Sequence, residues 1–362
     1  MEKKELKVLL VGTVPPPIGG DATWMLEYLK YCDKIDYHTY LVKTNLTGKR
    51  AKTTDDSCNI FDEIKRCLRI WKDLYVGIKR FRPNIVHLNS NCSGRGIYRD
   101  YICALIVLAS KIPYVVHCHC NVQDQLGDKR GSVKCFERLC AKAKNILVLN
   151  SSSKEYVNGI VNKKIDIVPN YIDRTLVIEK KNVGDTIKRV VYVGHIKKAK
   201  GVCEIFELAR KHADIEFLLV GPITEEFTID EMLSNSVGNL KIEGPKTSEE
   251  VRTYLDEADI FLFLSHTEGF SLALLEAMSR GIPVIATDVG ANKDMIEEKG
   301  GCIVKVGDLL GVEEAFKCMA NESIRKEMSV WNLQKVNDCY TIDQVIENIW
   351  DIYLEVLNEK NI

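Results

Sequence analysis

The sequence predicts an α/β protein with two domains, each built around a parallel sheet. Short continuous apolar runs, typical of strands covered on both faces, alternate with helical patterns from one end of the chain to the other. The 362 residues exceed what one hydrophobic core usually organises. A polar stretch without periodicity, 177–186, interrupts the alternation and predicts a linker between domains 1–175 and 186–341.

In the first domain, the apolar runs predict strands at 6–12, 84–89, 114–119, 146–149 and 165–168. A Pro-rich loop ending in Gly19 and Gly20 follows the first strand and precedes a helix at about 22–30. Two glycines before a helix allow close backbone approach, so this loop could cradle a phosphate, although Gly- and Pro-rich loops are common. The polar region 45–57 is expected to be a loop near an acceptor.

The run His117-Cys118-His119-Cys120 ends the third of these strands. On a strand the two histidines share one face and the two cysteines the other, which disfavours a single zinc site. His119 is then either a ligand contact at the carboxyl end of the strand or a hydrogen-bonded structural residue.

In the second domain, strands are predicted at 189–194, 217–221, 259–264, 283–286 and 302–306. Helices are predicted at about 202–211, around Ile229, at 292–298, and from 310 to the end with interruptions. Lys197, Lys198 and Lys200 precede the first of these helices, where they suit either an anionic ligand or a solvated turn.

The segment 259–290 predicts a strand, a polar loop, a helix from Ser271 to Arg280 and a second strand, with Gly281 ending the helix. Glu268 in the loop and Glu276 in the helix bracket the start of the helix. Glu276 lies about five residues into the helix, which is about 7 Å along the helix axis. Such a pair could span a ligand. Alternatively, Glu276 pairs with Arg280 at the i, i+4 spacing.

Composition is that of a soluble α/β protein, with 46% hydrophobic and 28% charged residues. The longest apolar run, 101–109, is about half of what a spanning helix needs, and the N-terminus enters a strand directly, so we expect neither a membrane span nor a signal peptide. Thirteen cysteines without a C-x-x-C pair suit reduced thiols in the cytosol.

Charge is distributed unevenly between the halves. Residues 1–180 carry 30 Lys/Arg against 19 Asp/Glu, while residues 181–362 carry 20 against 32. This is either drift between two domains or a sign that the first half faces an anionic membrane or a phosphate-bearing acceptor. One predicted helix places basic residues opposite an apolar face: Lys65, Arg66, Arg69, Lys72, Lys79, Arg80 and Arg82 against Ile64, Leu68, Trp71, Leu74 and Ile78.

These features together resemble the retaining, nucleotide-sugar-dependent glycosyltransferases of the bacterial group 1 family over nearly the whole chain. The most specific match is the E-x7-E pattern of EGFSLALLEAMSRGIPVIATDVG, with VGHIKKAKG, VPNYID, VVHCHCN, the Gly19-Gly20 loop and DVGANKDMIE in support. The resemblance implies the GT-B architecture, two Rossmann-like domains facing across a cleft, with the donor on the C-terminal domain and the acceptor on the N-terminal one. The C-terminal helix, 342–362, is then expected to pack back on the N-terminal domain.

By the same resemblance, Glu268 contacts the transferred sugar, Lys200 neutralises the diphosphate and His119, with His117 beside it, lines the sugar pocket. Glu276 would bind the ribose hydroxyls, and Gly20 would approach the diphosphate. The predicted catalytic residues are thus Glu268, His119 and Lys200, and the predicted donor-binding residues are Gly19, Gly20, His195, Lys200, Gly269, Phe270, Ser271, Leu272 and Glu276.

Two positions depart from the family pattern. His195 stands where an Arg usually accompanies the Lys, which gives up a permanent charge and a bidentate fork. Lys197 or Lys198 could substitute, or the diphosphate itself could protonate His195. Tyr171 stands where a Gly is common.

The resulting prediction is a cytoplasmic enzyme, peripheral on the inner face of the membrane, that transfers a sugar from a UDP- or GDP-sugar to a glycan acceptor, most simply a lipid-linked one. Transfer is expected to need no metal and no cofactor, since no Asp-x-Asp candidate stands in a suitable loop. No nucleic-acid partner is expected. The alternatives are a UDP-sugar epimerase of the same fold and a non-catalytic partner subunit in which His195 marks a decayed donor site.

Overall fold

The computed structural model describes residues 2–16, 19–45, 60–127, 129–224 and 237–359. The chain divides into two compact units, one formed by residues 1–170 and 342–362 and the other by residues 171–341. The helix predicted around Ile229 and most of the loop predicted at 45–57 lie outside the described residues.

Six described strands of the first unit form a parallel sheet in the order β2-β1-β3-β4-β5-β6. Their bounds are Lys7–Gly12 (β1), His38–Lys43 (β2), Ile85–Ser90 (β3), Tyr114–Cys118 (β4), Asn145–Val148 (β5) and Ile165–Ile167 (β6). The five strands predicted for this half are present. Strand β2 is not among the predicted strands, because it is an edge strand whose side chains are only partly buried and which lacks a continuous apolar run.

Helices α1 to α6 connect these strands: Gly20–Lys34 (α1), Ile60–Phe81 (α2), Gly94–Ala109 (α3), Val122–Leu126 (α4), Arg130–Ala141 (α5) and Ser151–Asn158 (α6). Side chains of α2, α3 and α5 share one core with the strands, including Leu74, Val107 and Phe136. The buried Trp24 and Tyr28 of α1 lie against His87 and His117 of the sheet, on the other face.

The predicted apolar face of α2 is wrong at its beginning. Leu74 and Ile78 are buried, but Ile64 and Leu68 are 51% and 56% exposed. At about 100° per residue, Ile64 and Leu68 lie at one margin of an apolar arc of about 180°, and the sheet covers only the other part of that arc.

Two of the basic residues predicted to lie opposite the apolar face of α2 form hydrogen bonds to the backbone that follows β2. Arg66 donates to the carbonyl of Thr44 at 3.1 Å, and Arg69 donates to that of Asn45 at 3.0 Å. Both carbonyls directly follow β2, so these arginines fix the start of α2 at the carboxyl end of that strand.

Six described strands of the second unit form a parallel sheet in the order β12-β11-β10-β7-β8-β9. Their bounds are Arg189–Val193 (β7), Glu216–Val220 (β8), Leu240–Gly244 (β9), Ile260–Phe263 (β10), Val284–Thr287 (β11) and Gly301–Val304 (β12). The described helices are Val202–Lys211 (α7), Ser248–Asp256 (α8), Leu272–Ser279 (α9), Asn292–Ile296 (α10), Leu309–Met319 (α11) and Glu322–Cys339 (α12). The α/β class with two Rossmann-like units is confirmed. The predicted linker, 177–186, lies within the second unit. In this segment the amide of Ile178 donates to the carbonyl of Ser279 at 3.1 Å.

The C-terminal helix α13, Ile342–Asn358, belongs to the first unit. Its apolar face recurs every three or four residues, and Trp350 is fully buried with its ring 3.9 Å from that of Tyr37. Glu347 accepts from Lys3 at 2.7 Å and from the Tyr37 hydroxyl at 3.0 Å. Among the helices that the structure describes, none combines the length and hydropathy needed to cross a bilayer.

Candidate active site

The candidate site of the second unit lies where its sheet changes direction. From β7 the chain proceeds to β8 on one side, and it returns to place β10 on the other side of β7. The loops after β7 and β10 therefore diverge at the carboxyl ends of these strands and open a crevice, the usual ligand position in such sheets. Lys200 lies in the first loop and Glu268 in the second.

Lys200 and Glu268 form an ion pair through Nζ and Oε1. Their side chains are 21% and 13% exposed, so the pair is reachable from solvent but largely shielded. The structure thus brings together two of the residues predicted to be catalytic. An anionic ligand at this crevice would compete with Glu268 for the ammonium group.

A close backbone approach fixes the Lys200 loop against the Glu268 loop. Gly201 has φ of 72°, and a Cβ added there would lie 2.1 Å from the carbonyl oxygen of Leu264. Nearby, the amide of His266 donates to the carbonyl of Ala199 at 3.0 Å, and its ring lies 2.7 Å from Glu204. Only glycine fits at position 201, and its approach sets the position of Lys200.

A second glycine holds the Glu268 loop from the other side. Gly290 has φ of 56°, and a Cβ there would lie 2.4 Å from the carbonyl oxygen of Glu268. The amide of Ala291 donates to the carbonyl of Gly269 at 3.1 Å. Gly290 belongs to the DVGANKDMIE motif, in which no role is predicted for this glycine; its close approach fixes the position of the loop that carries Glu268.

The predicted donor-binding stretch 269–272 forms the entry to α9. Ser271 is the N-cap, and its Oγ accepts from the amide of Leu274 at 3.2 Å. Phe270 is buried edge-on against Tyr340, 5.8 Å between ring centroids, whereas Gly269 and Leu272 are half-buried. The first backbone amides of α9 therefore lie at the crevice, next to the buried ring of Phe270. Amides at a helix N-terminus favour anions.

Glu276 lies on α9, one turn beyond its start, and is half-buried. Its proposed alternative partner, Arg280, binds Asp256 through two nitrogens at 2.6 and 2.8 Å and the carbonyl of Leu176 at 2.9 Å. The guanidinium of Arg280 is thus committed to Asp256 and to the backbone.

His195, the departure from the family pattern, is exposed on the loop after β7. The hydroxyl of Tyr192 donates to its carbonyl at 2.8 Å and so fixes the backbone of this loop. Burial, and then the nearby carboxylate of Glu268, raise the pKa of Tyr192. Tyr192 is not among the predicted site residues, because within the apolar run VVYVG it gives no polar signal.

In the first unit, Gly19 and Gly20 lie at the start of α1, next to the point where the sheet diverges between β1 and β3. Gly20 is exposed, and a Cβ added there would meet no atom within 4 Å. The described part of this unit therefore does not require glycine at position 20, and its predicted approach to a diphosphate stays a prediction.

His119 follows β4 at the same edge of the first unit's sheet, half-buried beneath the Trp24 ring at 4.6 Å. Its Nε2 lies 2.5 Å from Oδ1 of Asn89, an acceptor, so the ring carries its proton on Nε2 and leaves Nδ1 as an acceptor. Burial lowers the pKa of His119 to about 3, which keeps the ring neutral at physiological pH. Asn89 was missed, although a polar residue at the carboxyl end of a strand is a signal for such a site.

The fully buried His117 ring lies 4.0 Å from His119, which confirms that the two histidines share one face. Cys118 and Cys120 belong to the core on the opposite face. Within the described residues, no cluster of three or more His, Cys, Asp or Glu side chains is arranged to hold a metal ion.

Comparisons with known proteins agree with this geometry. Residues 173–328, which include Lys200, Glu268 and Glu276, match the family model of glycosyl transferases group 1. An Escherichia coli relative, UDP-Gal:alpha-D-GlcNAc-diphosphoundecaprenol alpha-1,3-galactosyltransferase, is 23% identical over 87% of this chain and 88% of its own. Residues 173–328 therefore carry a group 1 glycosyltransferase domain.

Other known proteins match over different lengths. N-acetyl-alpha-D-glucosaminyl L-malate synthase of Bacillus anthracis is 28% identical over 55% of this chain, and the match spans 56% of that relative. The crystal structure of Anabaena HepE in complex with UDP and glucose has a TM-score of 0.72 and 12% identity, covering 97% of this chain and all of HepE. This likeness shows that the chain has the GT-B fold.

Proposed function

We propose that the protein is a retaining glycosyltransferase that transfers a sugar from a nucleotide-sugar donor to a lipid-linked glycan acceptor during cell-surface polysaccharide assembly. The observation that carries the proposal is the Lys200–Glu268 ion pair in the crevice between the β7 and β10 loops, beside the start of α9. A cation, a carboxylate and helix amides meet there, which is what a sugar diphosphate requires.

The reaction develops negative charge on the leaving diphosphate and positive charge on the sugar. The ammonium of Lys200 and the amides entering α9 would stabilise the diphosphate as it leaves, because groups fixed before the reaction stabilise charge without reorganising. In this arrangement protein cations and dipoles supply the stabilisation, so we expect transfer without a metal or cofactor. Attack from the face that the diphosphate leaves would retain the anomeric configuration.

The ion pair gives Glu268 a function that changes on donor binding. In the free protein its carboxylate holds the ammonium of Lys200. When a diphosphate binds, Lys200 would turn to phosphate, and the carboxylate would then accept hydrogen bonds from the sugar hydroxyls. Glu276, one turn into α9, would bind the ribose hydroxyls of a UDP- or GDP-sugar.

His119, at the carboxyl edge of the first unit's sheet, would offer a neutral ring to a sugar hydroxyl. Because Asn89 accepts its Nε2 proton, Nδ1 is available to accept from a sugar hydroxyl. A neutral imidazole also avoids adding a charge where the sugar becomes cationic.

The names of similar proteins support the choice of donor and acceptor. The Escherichia coli relative is named for a UDP-galactose donor and a diphosphoundecaprenol-linked acceptor. The HepE structure holds UDP and glucose. A lipid-linked acceptor would place the enzyme on the cytoplasmic face of the membrane.

The decisive experiment measures slow donor hydrolysis and transfer across UDP-, GDP- and ADP-sugars. Glu268→Gln and Lys200→Met should each lower turnover by about 100- to 1,000-fold, the usual loss when one group stabilising developing charge is removed. Lys211→Met, at an exposed position of α7, serves as the matched control and should keep wild-type rates. Wild-type turnover in the Glu268 and Lys200 variants would refute the assignment.

His195 favours one alternative, a non-catalytic partner subunit with a decayed donor site. Specific binding stabilises a folded protein by mass action, so a thermal-shift panel with nucleotides separates the two. Stabilisation by a nucleoside diphosphate supports the enzyme, and no stabilisation by any nucleotide supports the partner subunit. An epimerase would instead interconvert UDP-sugars without acceptor and without releasing UDP.

A further inference from the structure

Helix α2 exposes an apolar stripe to solvent on the side turned away from the sheet. Phe61 is 70% exposed, Ile64 51%, Leu68 56% and Tyr75 52%. At about 100° per residue these four side chains fall within an arc of about 60° around the helix axis. The buried residues Ile70, Leu74 and Ile78 are centred about 110° from the middle of this arc.

Lysines continue this stripe along the helix. Lys65, Lys72 and Lys79 are exposed and fall within about 40° of Phe61 around the axis. The acids of α2 lie elsewhere: Asp62 and Asp73 are about 100–120° away, and Glu63 binds Arg66. One side of α2 is thus both apolar and cationic.

Helix α3 extends the same surface. It packs beside α2, where the indole of Trp71 donates to the carbonyl of Arg99 at 3.4 Å. Tyr98, Leu105 and Leu108 are 49%, 44% and 36% exposed, and the acid of α3, Asp100, is buried in a pair with Arg99. We call the exposed residues of both helices the α2–α3 face: Phe61, Ile64, Lys65, Leu68, Lys72, Tyr75, Lys79, Tyr98, Leu105 and Leu108.

The apolar end of the α2–α3 face lies at the edge of the sheet that carries His119 and Gly20. Arg66 and Arg69 fix the start of α2 at the carboxyl end of β2, and α3 begins just after β3. Phe61, Ile64, Leu68 and Tyr98 are therefore near that edge, while Lys72 and Lys79 extend towards the other one.

We propose that the α2–α3 face docks the protein on an anionic lipid bilayer. Apolar side chains would enter the interface while the lysines meet lipid phosphates, the two contributions that hold amphipathic helices on membranes. Two copies joined through this face would bring its lysines together, which favours the bilayer over a dimer. The proposal rests on the proposed function in one respect, since docking would hold the candidate sugar site beside a lipid-linked acceptor.

The test is flotation of the full chain with vesicles of phosphatidylcholine, alone or containing phosphatidylglycerol, at low and high salt. The wild type should bind the anionic vesicles at low salt, bind neutral ones weakly and lose binding as salt rises. Lys72→Glu/Lys79→Glu should weaken partitioning by at least about 25-fold, taking about fivefold for each cation removed. Ile64→Ser/Leu68→Ser should weaken it by at least about tenfold.

Matched controls come from exposed positions of the second unit. Leu310→Ser/Val330→Ser removes two apolar side chains that are 76% and 68% exposed, and Lys305→Glu/Lys317→Glu reverses two exposed lysines. Both controls should bind vesicles as the wild type does, and all variants should keep the wild-type melting temperature and rate of donor hydrolysis in the absence of lipid.

Three results would overturn the proposal: no binding of the wild type to anionic vesicles, equal binding by the α2 variants, or a wild-type dimer that the Ile64/Leu68 variant abolishes. Because vesicle binding is measured without donor, each is distinct from a failure of the proposed transferase activity.

Discussion

At the scale of single residues, the candidate site depends on glycines as much as on charged side chains. Lys200 meets Glu268 because Gly201, the next residue, allows its loop to touch the end of β10. Glu268 is held in turn by the contact of its carbonyl with Gly290. The charged groups supply the chemistry, and these two close approaches supply their positions.

Replacing Gly201 by Ala should destabilise the second unit by at least about 2 kcal/mol. The new Cβ would lie 2.1 Å from the Leu264 carbonyl oxygen, and φ of 72° disfavours any L side chain. Urea denaturation measures the loss. Gly238→Ala is the control, because a Cβ there meets nothing within 4 Å and should change stability by less than about 0.5 kcal/mol. Equal stability of the two variants would contradict the close approach.

His195→Arg should raise kcat/KM for donor hydrolysis by about tenfold. Arginine restores a permanent charge and a fork that matches a diphosphate, whereas an imidazole has no permanent charge and no such fork. Steady-state kinetics with the preferred donor measure the change, and His195→Gln should remain near the wild type. An arginine variant no better than the glutamine variant would mean that Lys200 alone suffices.

At the scale of secondary-structure elements, α2 and α13 show what periodicity does and does not specify. Both have apolar residues at helical spacing. In α13 the pattern defines one buried face, with Trp350 and Tyr353 fully buried. In α2 it defines one broad face, and the sheet covers only part of it.

The packing of α13 should be essential to the first unit. Trp350→Ala should lower the free energy of unfolding by about 3–5 kcal/mol, since it removes a fully buried indole that packs on Tyr37. Leu354→Ala on the same helix is half-exposed and should cost about 1 kcal/mol. Similar losses for both, measured by urea denaturation, would mean that α13 contributes little to this core.

At the scale of the whole molecule, three histidines of the first unit make stability depend on pH. Burial lowers the pKa of His87 and of His119 to about 3 and that of His117 well below 6.5. The unfolded chain therefore binds more protons than the folded one below about pH 6.5. The free energy of unfolding therefore has its full value, as far as these histidines are concerned, above about pH 6.5. It decreases as the pH falls below that value.

For the fully buried His117, this loss should reach about 1.4 kcal/mol per pH unit below pH 6.5. Urea denaturation of the wild type and of His117→Gln between pH 7.5 and pH 5 measures it, and the variant should show the shallower dependence by that amount. His38→Gln, at an exposed position, should follow the wild-type curve. Parallel curves for His117→Gln and the wild type would show that His117 does not resist protonation.

Much of this molecule follows from its sequence. Buried central strands such as β1 and β10 are predictable because they are covered on both faces and so read as continuous apolar runs. The edge strands β2 and β9 are not, because partial exposure dilutes the pattern. The residues at the carboxyl ends of β7 and β10 are predictable too, because a parallel sheet collects polar loops at one edge.

The sequence by itself predicted the fold class and the chemical groups of the candidate site in the second unit: Lys200, Glu268 and Glu276. Only the tertiary structure decided which of these groups meet and which apolar residues stay exposed. The pairing of Lys200 with Glu268 depends on backbone contacts 60 and more residues apart, and the exposure of Ile64 and Leu68 depends on which side of α2 the sheet occupies. Local spacing fixes a side chain's direction around its own helix or strand, but not what lies opposite it.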